Sequence, residues 1–161
     1  MPIDTNELRR VMGHFATGVA VITTHAADGE FFGLTANALS SLSLVPPLLL
    51  VCIEKKAESY RCFDESKVFN ANILSADQED ISRRFASRSM SGAKKFEGTS
   101  YRIGANGAPI LTGVLAYLEC RVTAAFEGGD HTIYVGEIEQ ADSVEGEPLL
   151  FFRGGYRSIG S

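Results

Sequence analysis

Three stretches of the sequence combine side chains able to do chemistry with backbone that can come close to a ligand. The first is Gly33-Leu34-Thr35-Ala36-Asn37-Ala38-Leu39-Ser40-Ser41. Its small side chains would let a flat ring approach the main chain, while Thr35, Asn37, Ser40 and Ser41 supply directional donors and acceptors. The second is Cys52-Ile53-Glu54-Lys55-Lys56-Ala57-Glu58-Ser59. Two lysines and a serine ahead of a short helical segment can hold a phosphate by charge and by free backbone N–H groups. The third, Gly128-Gly129-Asp130-His131, is a tight turn that delivers a histidine to the start of a strand. From there it can orient a substrate amide or stabilise charge during hydride transfer. Taken singly, each stretch also has a plainer explanation: a polar strand-to-loop junction, a solvated loop with surface lysines, or a hairpin whose histidine caps a strand end.

Other chemistries find less support. There is no G-x-S-x-G elbow, no G-x-x-x-x-G-K-S/T loop, and no G-x-G-x-x-G after a first strand. The cysteines Cys52, Cys62 and Cys120 are odd in number, widely spaced and without a C-x-x-C pair. They are therefore expected to be small buried hydrophobes rather than a disulfide framework or zinc site. His14 and His25 lack spaced partners, so no metal site is expected. Asp77, Glu79 and Asp80 fall in the first turn of a helix, where the macrodipole favours negative charge. A formal net charge of −5 argues against a nucleic-acid partner. No apolar run approaches the roughly 20 residues that span a bilayer. The N-terminus shows no basic region followed by an apolar one, so a cytoplasmic protein away from membranes is expected.

The elements that must position these residues follow from hydrophobic period. Asp4 with Glu7 has capping-box spacing, Ile3 and Leu8 that of a hydrophobic staple. Leu8, Val11, Met12 and Phe15 form one apolar stripe of a helix that Gly18 would stop. Val19 to Thr24 is β-branched, Asp28-Gly29 is a turn signal, and Phe31 to Thr35 would return as a hairpin arm. Pro46-Pro47 precedes the apolar strand L-L-L-V-C-I. A short helix over 57–65, a strand over 68–74 and a helix from Ser75 to about Phe85 follow. The Ser-, Gly- and Lys-rich segment 87–107 reads as a long loop. Val114, Ala116, Leu118, Cys120, Val122, Ala124 and Phe126 then alternate with mostly polar residues, predicting a strand with one buried face. Gly128-Gly129-Asp130 turns it into a second strand over 131–140, and a last strand spans 149–153. Six or more strands without regular βαβ alternation predict a mainly β, antiparallel α+β barrel, one domain over 1–161.

In order, the segments F-A-T-G-V-A-V-I-T-T, G-L-T-A-N-A-L-S-S-L-S-L-x-P-P-L-L-L-V, N-I-L-S-A-D-Q, S-R-R-F-A, G-G-D-H-T-I-Y-V-G-E-I and P-L-L-F-F-R-G-G-Y run from about Leu8 to Tyr156. The series resembles the flavin reductase-like, FMN-binding split-barrel family, and within it the reductase components of two-component flavin-dependent monooxygenases. The resemblance implies a homodimer of Greek-key split β-barrels with short flanking helices. It implies an enzyme that passes hydride from NADH or NADPH to FAD or FMN and supplies a partner monooxygenase. Thr35, Ala36 and Asn37 would line the isoalloxazine ring, Ser40 and Ser41 would reach the ribityl chain or phosphate, and Cys52 and Ile53 would pack nearby. Lys56 and Ser59 would hold phosphate, with Arg84 and Phe85 on the phosphate and adenine side. His131 would sit over the nicotinamide, with Tyr156 bordering the same pocket. A flavoprotein that keeps its flavin and reduces a corrinoid or metal complex, or a flavin binder without turnover, are the alternatives.

Overall fold

In the computed structural model, which describes residues 1–160 and so leaves Ser161 of the expected domain outside the described residues, the chain opens with helix α1 (Thr5–Met12). The Asp4 carboxylate caps it, accepting the N–H of Asn6 at 2.9 Å and of Glu7 at 3.3 Å. The reciprocal half of the expected capping box is absent, because the Glu7 carboxylate turns to Arg10 instead. The helix stops at Gly13 rather than Gly18, since Thr17 and Gly18 are already paired as a strand. Its apolar stripe finds no cover within the chain: Leu8, Val11 and Met12 are about half exposed and Phe15 is 72% exposed.

After α1 come β1 (Thr17–Gly18), β2 (Ala20–His25), β3 (Phe31–Ala36), β4 (Leu39–Ser43), β5 (Leu48–Glu54), α2 (Tyr60–Ser66), β6 (Val68–Ile73) and α3 (Glu79–Ala86). A 3₁₀ turn (Gly92–Phe96) leads to β7 (Tyr101–Ile103), β8 (Pro109–Leu111), β9 (Ala116–Gly128), β10 (His131–Ser143), β11 (Leu150–Phe152) and β12 (Gly155–Arg157). Two segments expected to be irregular are therefore structured. Leu39–Ser43 is a strand whose polar residues carry no β-branched signal, and 87–107 contains the 3₁₀ turn and a strand that pairs with β8.

Seven strands form one antiparallel sheet in the order β3-β2-β6-β9-β10-β5-β4. Its two edge strands are consecutive in the chain, joined only by Asn37 and Ala38. Such a link reaches at most about 11 Å. Seven strands laid flat would separate the edges by about 29 Å. The sheet must therefore curl until the end of β3 meets the start of β4.

Curling puts one apolar cluster inside and another outside. Ala20, Ile22, Val51, Ile53, Phe69, Ala71, Cys120 and Tyr134 fill the inside with Phe63 of α2, whose ring stacks on Tyr134 at 4.9 Å. Val19, Val21, Leu74, Leu111 and Leu149 pack outside against Phe85 of α3 and Phe96. Strand β2 is buried on both faces, which is why its sequence is a continuous apolar and β-branched run instead of an alternation. Asn70 and Asn72 are fully buried and fully used. Asn72 donates to the Val21 carbonyl at 3.0 Å and accepts the Leu111 N–H at 2.9 Å, and Asn70 donates to the Ala108 carbonyl at 3.0 Å. The 104–111 segment is thereby stitched to the middle of the sheet.

The β9–β10 ladder shifts register between Val135 and Gly136 and again between Ile138 and Gln140. Gly136 lies where a Cβ would stand 2.8 Å from Cys120 and from the Phe69 ring. Gly136→Ala should therefore destabilise the fold by about 1–3 kcal/mol through overpacking. Chemical denaturation would show this as a lower midpoint with an unchanged slope.

Candidate active site

Two adjoining hollows open where the sheet edges converge beneath α3. The larger, of about 320 Å³, is walled by Gly33 and Thr35 of β3, Glu54, Lys56 through Ser59, Phe85 and Ala86 of α3, and Arg88, Met90, Gly92 and Lys95. The smaller, of about 200 Å³, is walled by Val19, Thr35, Ala36, Asn37, Ser82, Ala86, Phe151 and Tyr156. Thr35 and Ala86 belong to both. The walls differ in character: the larger carries three basic and two acidic side chains, the smaller is apolar with a few hydroxyls and one carboxamide.

Local sequence explains the close approach of the walls. Gly33 leaves room for the Phe85 ring, because a Cβ there would stand 2.8 Å from it. The Thr35 hydroxyl donates to the Ser82 carbonyl at 2.6 Å, tying β3 to α3. The Ser82 and Tyr156 hydroxyls are 2.7 Å apart, and the Arg83 guanidinium lies over the Tyr156 ring at 4.9 Å. Tyr156 is thus docked on α3 although it arrives from the C-terminal end of the chain.

Of the residues singled out in sequence, the larger hollow collects Thr35, Lys56, Ser59 and Phe85, and the smaller Thr35, Ala36, Asn37 and Tyr156. Ser40 and Ser41 are exposed on β4 and line neither. Ile53 is wholly buried in the inner core. Cys52 is half-buried on the opposite face of β5, with its N–H donating to the Ala38 carbonyl at 2.9 Å. Arg84 does not face a hollow. Its guanidinium donates to the carbonyls of Lys95 at 2.7 Å, Lys94 at 2.9 Å and Glu97 at 2.5 Å, holding the 3₁₀ turn. His131 lines neither hollow, but its cross-strand partner is Glu54, a wall of the larger one. Within one chain, His131 and Tyr156 therefore border no common hollow.

His131 is oriented by Asp130, with Nδ1 at 2.7 Å from the carboxylate, and this bond holds the Asp130 carboxyl below its usual range. The turn itself is braced because the Lys55 N–H donates to the Asp130 carbonyl at 2.9 Å. Sequence reasoning passed over Ser82, although it opens the S-R-R-F-A segment. It also passed over Lys95, hidden in a segment read as loop. Lys95 is 8% exposed, and burial lowers its pKa, a trend that nearby Glu58 opposes. Ser59 is 3% exposed, and its buried hydroxyl has no hydrogen-bond partner among the described residues. Lys56, Arg88 and Lys95 in the wall of the larger hollow suit an anionic group, and the mostly apolar smaller hollow suits a flat ring, so these residues fit a phosphorylated flavin. Among the described residues no three His, Cys, Asp or Glu side chains converge as metal ligands, and no helix is long and apolar enough to cross a membrane.

A curled antiparallel sheet thus carries two adjoining hollows, one mostly apolar and one with more basic than acidic side chains, as a ligand-binding domain would. Residues 12–160 match the model of the flavin reductase like domain. The chain belongs to that family, as the motif series implied. It is 39% identical over 160 residues to the reductase subunit HsaB of a flavin-dependent monooxygenase from Mycobacterium tuberculosis, covering 98% of this chain and 83% of that one. It is 38% identical to an NADH-dependent FAD reductase of Streptomyces globisporus over 156 residues, 96% of this chain and 85% of the other. Among solved structures, the flavin reductase PheA2 superposes with a TM-score of 0.88 at 37% identity, covering 99% of this chain and 100% of that one. The S. globisporus NADH:FAD oxidoreductase SgcE6, in complex with NAD and FAD fragments, superposes with a TM-score of 0.89 at 38% identity, covering 98% and 95%.

The three cysteines are not alike, contrary to the expectation that all would be buried. Burial pushes the thiol of Cys62 up to about 11 and that of Cys120 up to about 12, whereas Cys52 is partly accessible. A thiol reagent at pH 8 should titrate one thiol in the native chain and three after denaturation.

Proposed function

We propose that the chain, acting as one domain, transfers hydride from NADH or NADPH to FAD or FMN and releases reduced flavin to a partner monooxygenase. The observation that carries this reading is the pair of adjoining hollows, one sized and lined for a flat ring and the other lined by Lys56, Arg88 and Lys95. Family membership and the reductase names of the relatives support it.

The bound flavin supplies the hydride-accepting ring and the nicotinamide supplies the hydride; the protein supplies orientation. Thr35, Ala36 and Asn37 form the ledge on which the ring rests, with Asn37 offering hydrogen bonds at the convergence of the sheet edges. Tyr156, locked to Ser82, closes the far side and excludes water. Lys56 and Ser59 hold phosphate. His131, fixed by Asp130, orients the nicotinamide at the rim beside Glu54. No side chain acts as a nucleophile.

The curled sheet is read as a split barrel, and a second copy is read as covering the exposed stripe of α1. Exposure of Phe15 beside Val11 and Met12 supports this, because isolated monomers rarely leave such a stripe uncovered. Light scattering should return twice the chain mass, and Phe15→Glu should halve it.

The activity test is oxidation of NADH and of NADPH with and without added FMN or FAD. Flavin-dependent oxidation is expected, and none with any pair defeats the proposal. His131→Ala should slow flavin reduction at least about tenfold while leaving flavin affinity within about twofold, since the loss is one of orientation. Loss of flavin binding instead would move His131 out of the nicotinamide role.

A further inference from the structure

A third hollow, of about 290 Å³, shares no lining residue with the two of the candidate active site. It lies between the β7–β8 hairpin, the segment that leads into β9, and the end of β10. Its frame is fixed by the main chain. Leu111 donates its N–H to the buried Asn72 side chain at 2.9 Å, Leu115 to the Ile73 carbonyl at 2.9 Å, and Val144 to the Leu115 carbonyl at 2.8 Å. Apolar side chains make up most of the wall, with Ile110 and Leu111 buried and Val144 66% exposed. Arg102 stands in the same wall, its guanidinium over the Tyr117 ring at 5.1 Å. Among the described residues Arg102 forms no hydrogen bond and no ion pair. The in-plane N–H groups of a guanidinium already held flat therefore remain available. Asp142, the acidic residue of this wall, accepts the Ser143 N–H at 2.8 Å and does not pair with Arg102.

We propose that this hollow is a second ligand site, which takes a small aromatic monocarboxylate. The carboxylate meets the planar fork of Arg102, which matches it with two parallel bonds. The ring lies on the apolar wall, where a flat body gains most contact against Tyr117 and the guanidinium stacked on it. Size agrees, because an apolar cavity of about 150 Å³ already accommodates benzene, and this hollow takes one ring together with its acid group. Asp142 sets the opposite sign elsewhere in the wall and so disfavours a second acid group on the ligand. Binding here involves none of the residues assigned to flavin or nicotinamide.

The test is isothermal titration of the full chain with sodium benzoate, with and without saturating FMN. Benzoate should bind once per chain with a Kd of about 1 mM or tighter, and FMN should not displace it. Benzamide keeps the ring without the charge, and cyclohexanecarboxylate keeps the charge without the flat ring. Each should bind at least about fivefold more weakly than benzoate. Arg102→Gln should weaken benzoate at least about tenfold, as loss of a charge-assisted bidentate pair does. Arg102→Lys should recover little of that loss, because an ammonium neither forks nor lies flat on Tyr117. Val144→Glu changes an exposed residue and sets a carboxylate at the rim, so it should weaken benzoate to a similar degree. Should Arg102→Gln fail to fold, Val144→Glu decides. No saturable binding of benzoate, its displacement by FMN, equal affinity for benzamide or cyclohexanecarboxylate, or undiminished affinity in Arg102→Gln or Val144→Glu would overturn the proposal.

Discussion

The structure depends on a length constraint: two residues, Asn37 and Ala38, join strands at opposite edges of a seven-stranded sheet. A chain that short forces the sheet to bend round, and bending creates an inside for Phe63, Phe69 and Tyr134 to fill. The same link places Asn37 at the convergence, so a carboxamide lining the smaller hollow stands where the fold is most constrained. Site and topology share one cause.

What the bend leaves open, α3 closes. Its Phe85 occupies the space vacated by the missing side chain of Gly33, and its Ser82 gathers both Thr35 and Tyr156. Arg84 extends this influence to the 3₁₀ turn through three carbonyls. One short helix thereby sets the separation of strand, C-terminal segment and loop, which are far apart in sequence. Buried amides on β6 secure the opposite flank by bonding the 104–111 segment, and they specify its position because each unmet donor would be a penalty in the interior.

Most strands were legible because burial leaves a period in the sequence. Val19 to Thr24, Phe31 to Thr35 and Leu48 to Ile53 carry apolar or β-branched runs, and all three are strands. β4 was not legible, because Leu-Ser-Ser-Leu-Ser pairs through its backbone with few side chains to bury. Alternation along β9 predicted a single buried face, and Cys120, Val122 and Ala124 follow it, but Phe126, in phase by counting, is 57% exposed where the β9–β10 hairpin runs out to its turn. At the site, turn chemistry and small residues pointed to 33–41 and 128–131. Lys95 and Ser82 escaped notice because burial of a polar side chain is decided by tertiary neighbours, which no local pattern encodes. Arg84 shows the converse, a charged residue within a ligand-like motif whose donors go to the main chain.

Ala86 is solvent-facing at the end of α3, a position at which helices ordinarily tolerate almost any residue. Here, with Thr35, it forms the threshold common to both hollows. A bulky side chain at 86 would project at the border of both hollows and take room from either. Smallness at this spot is therefore a demand of the space beside the helix, imposed on a residue that stability alone would leave free to drift.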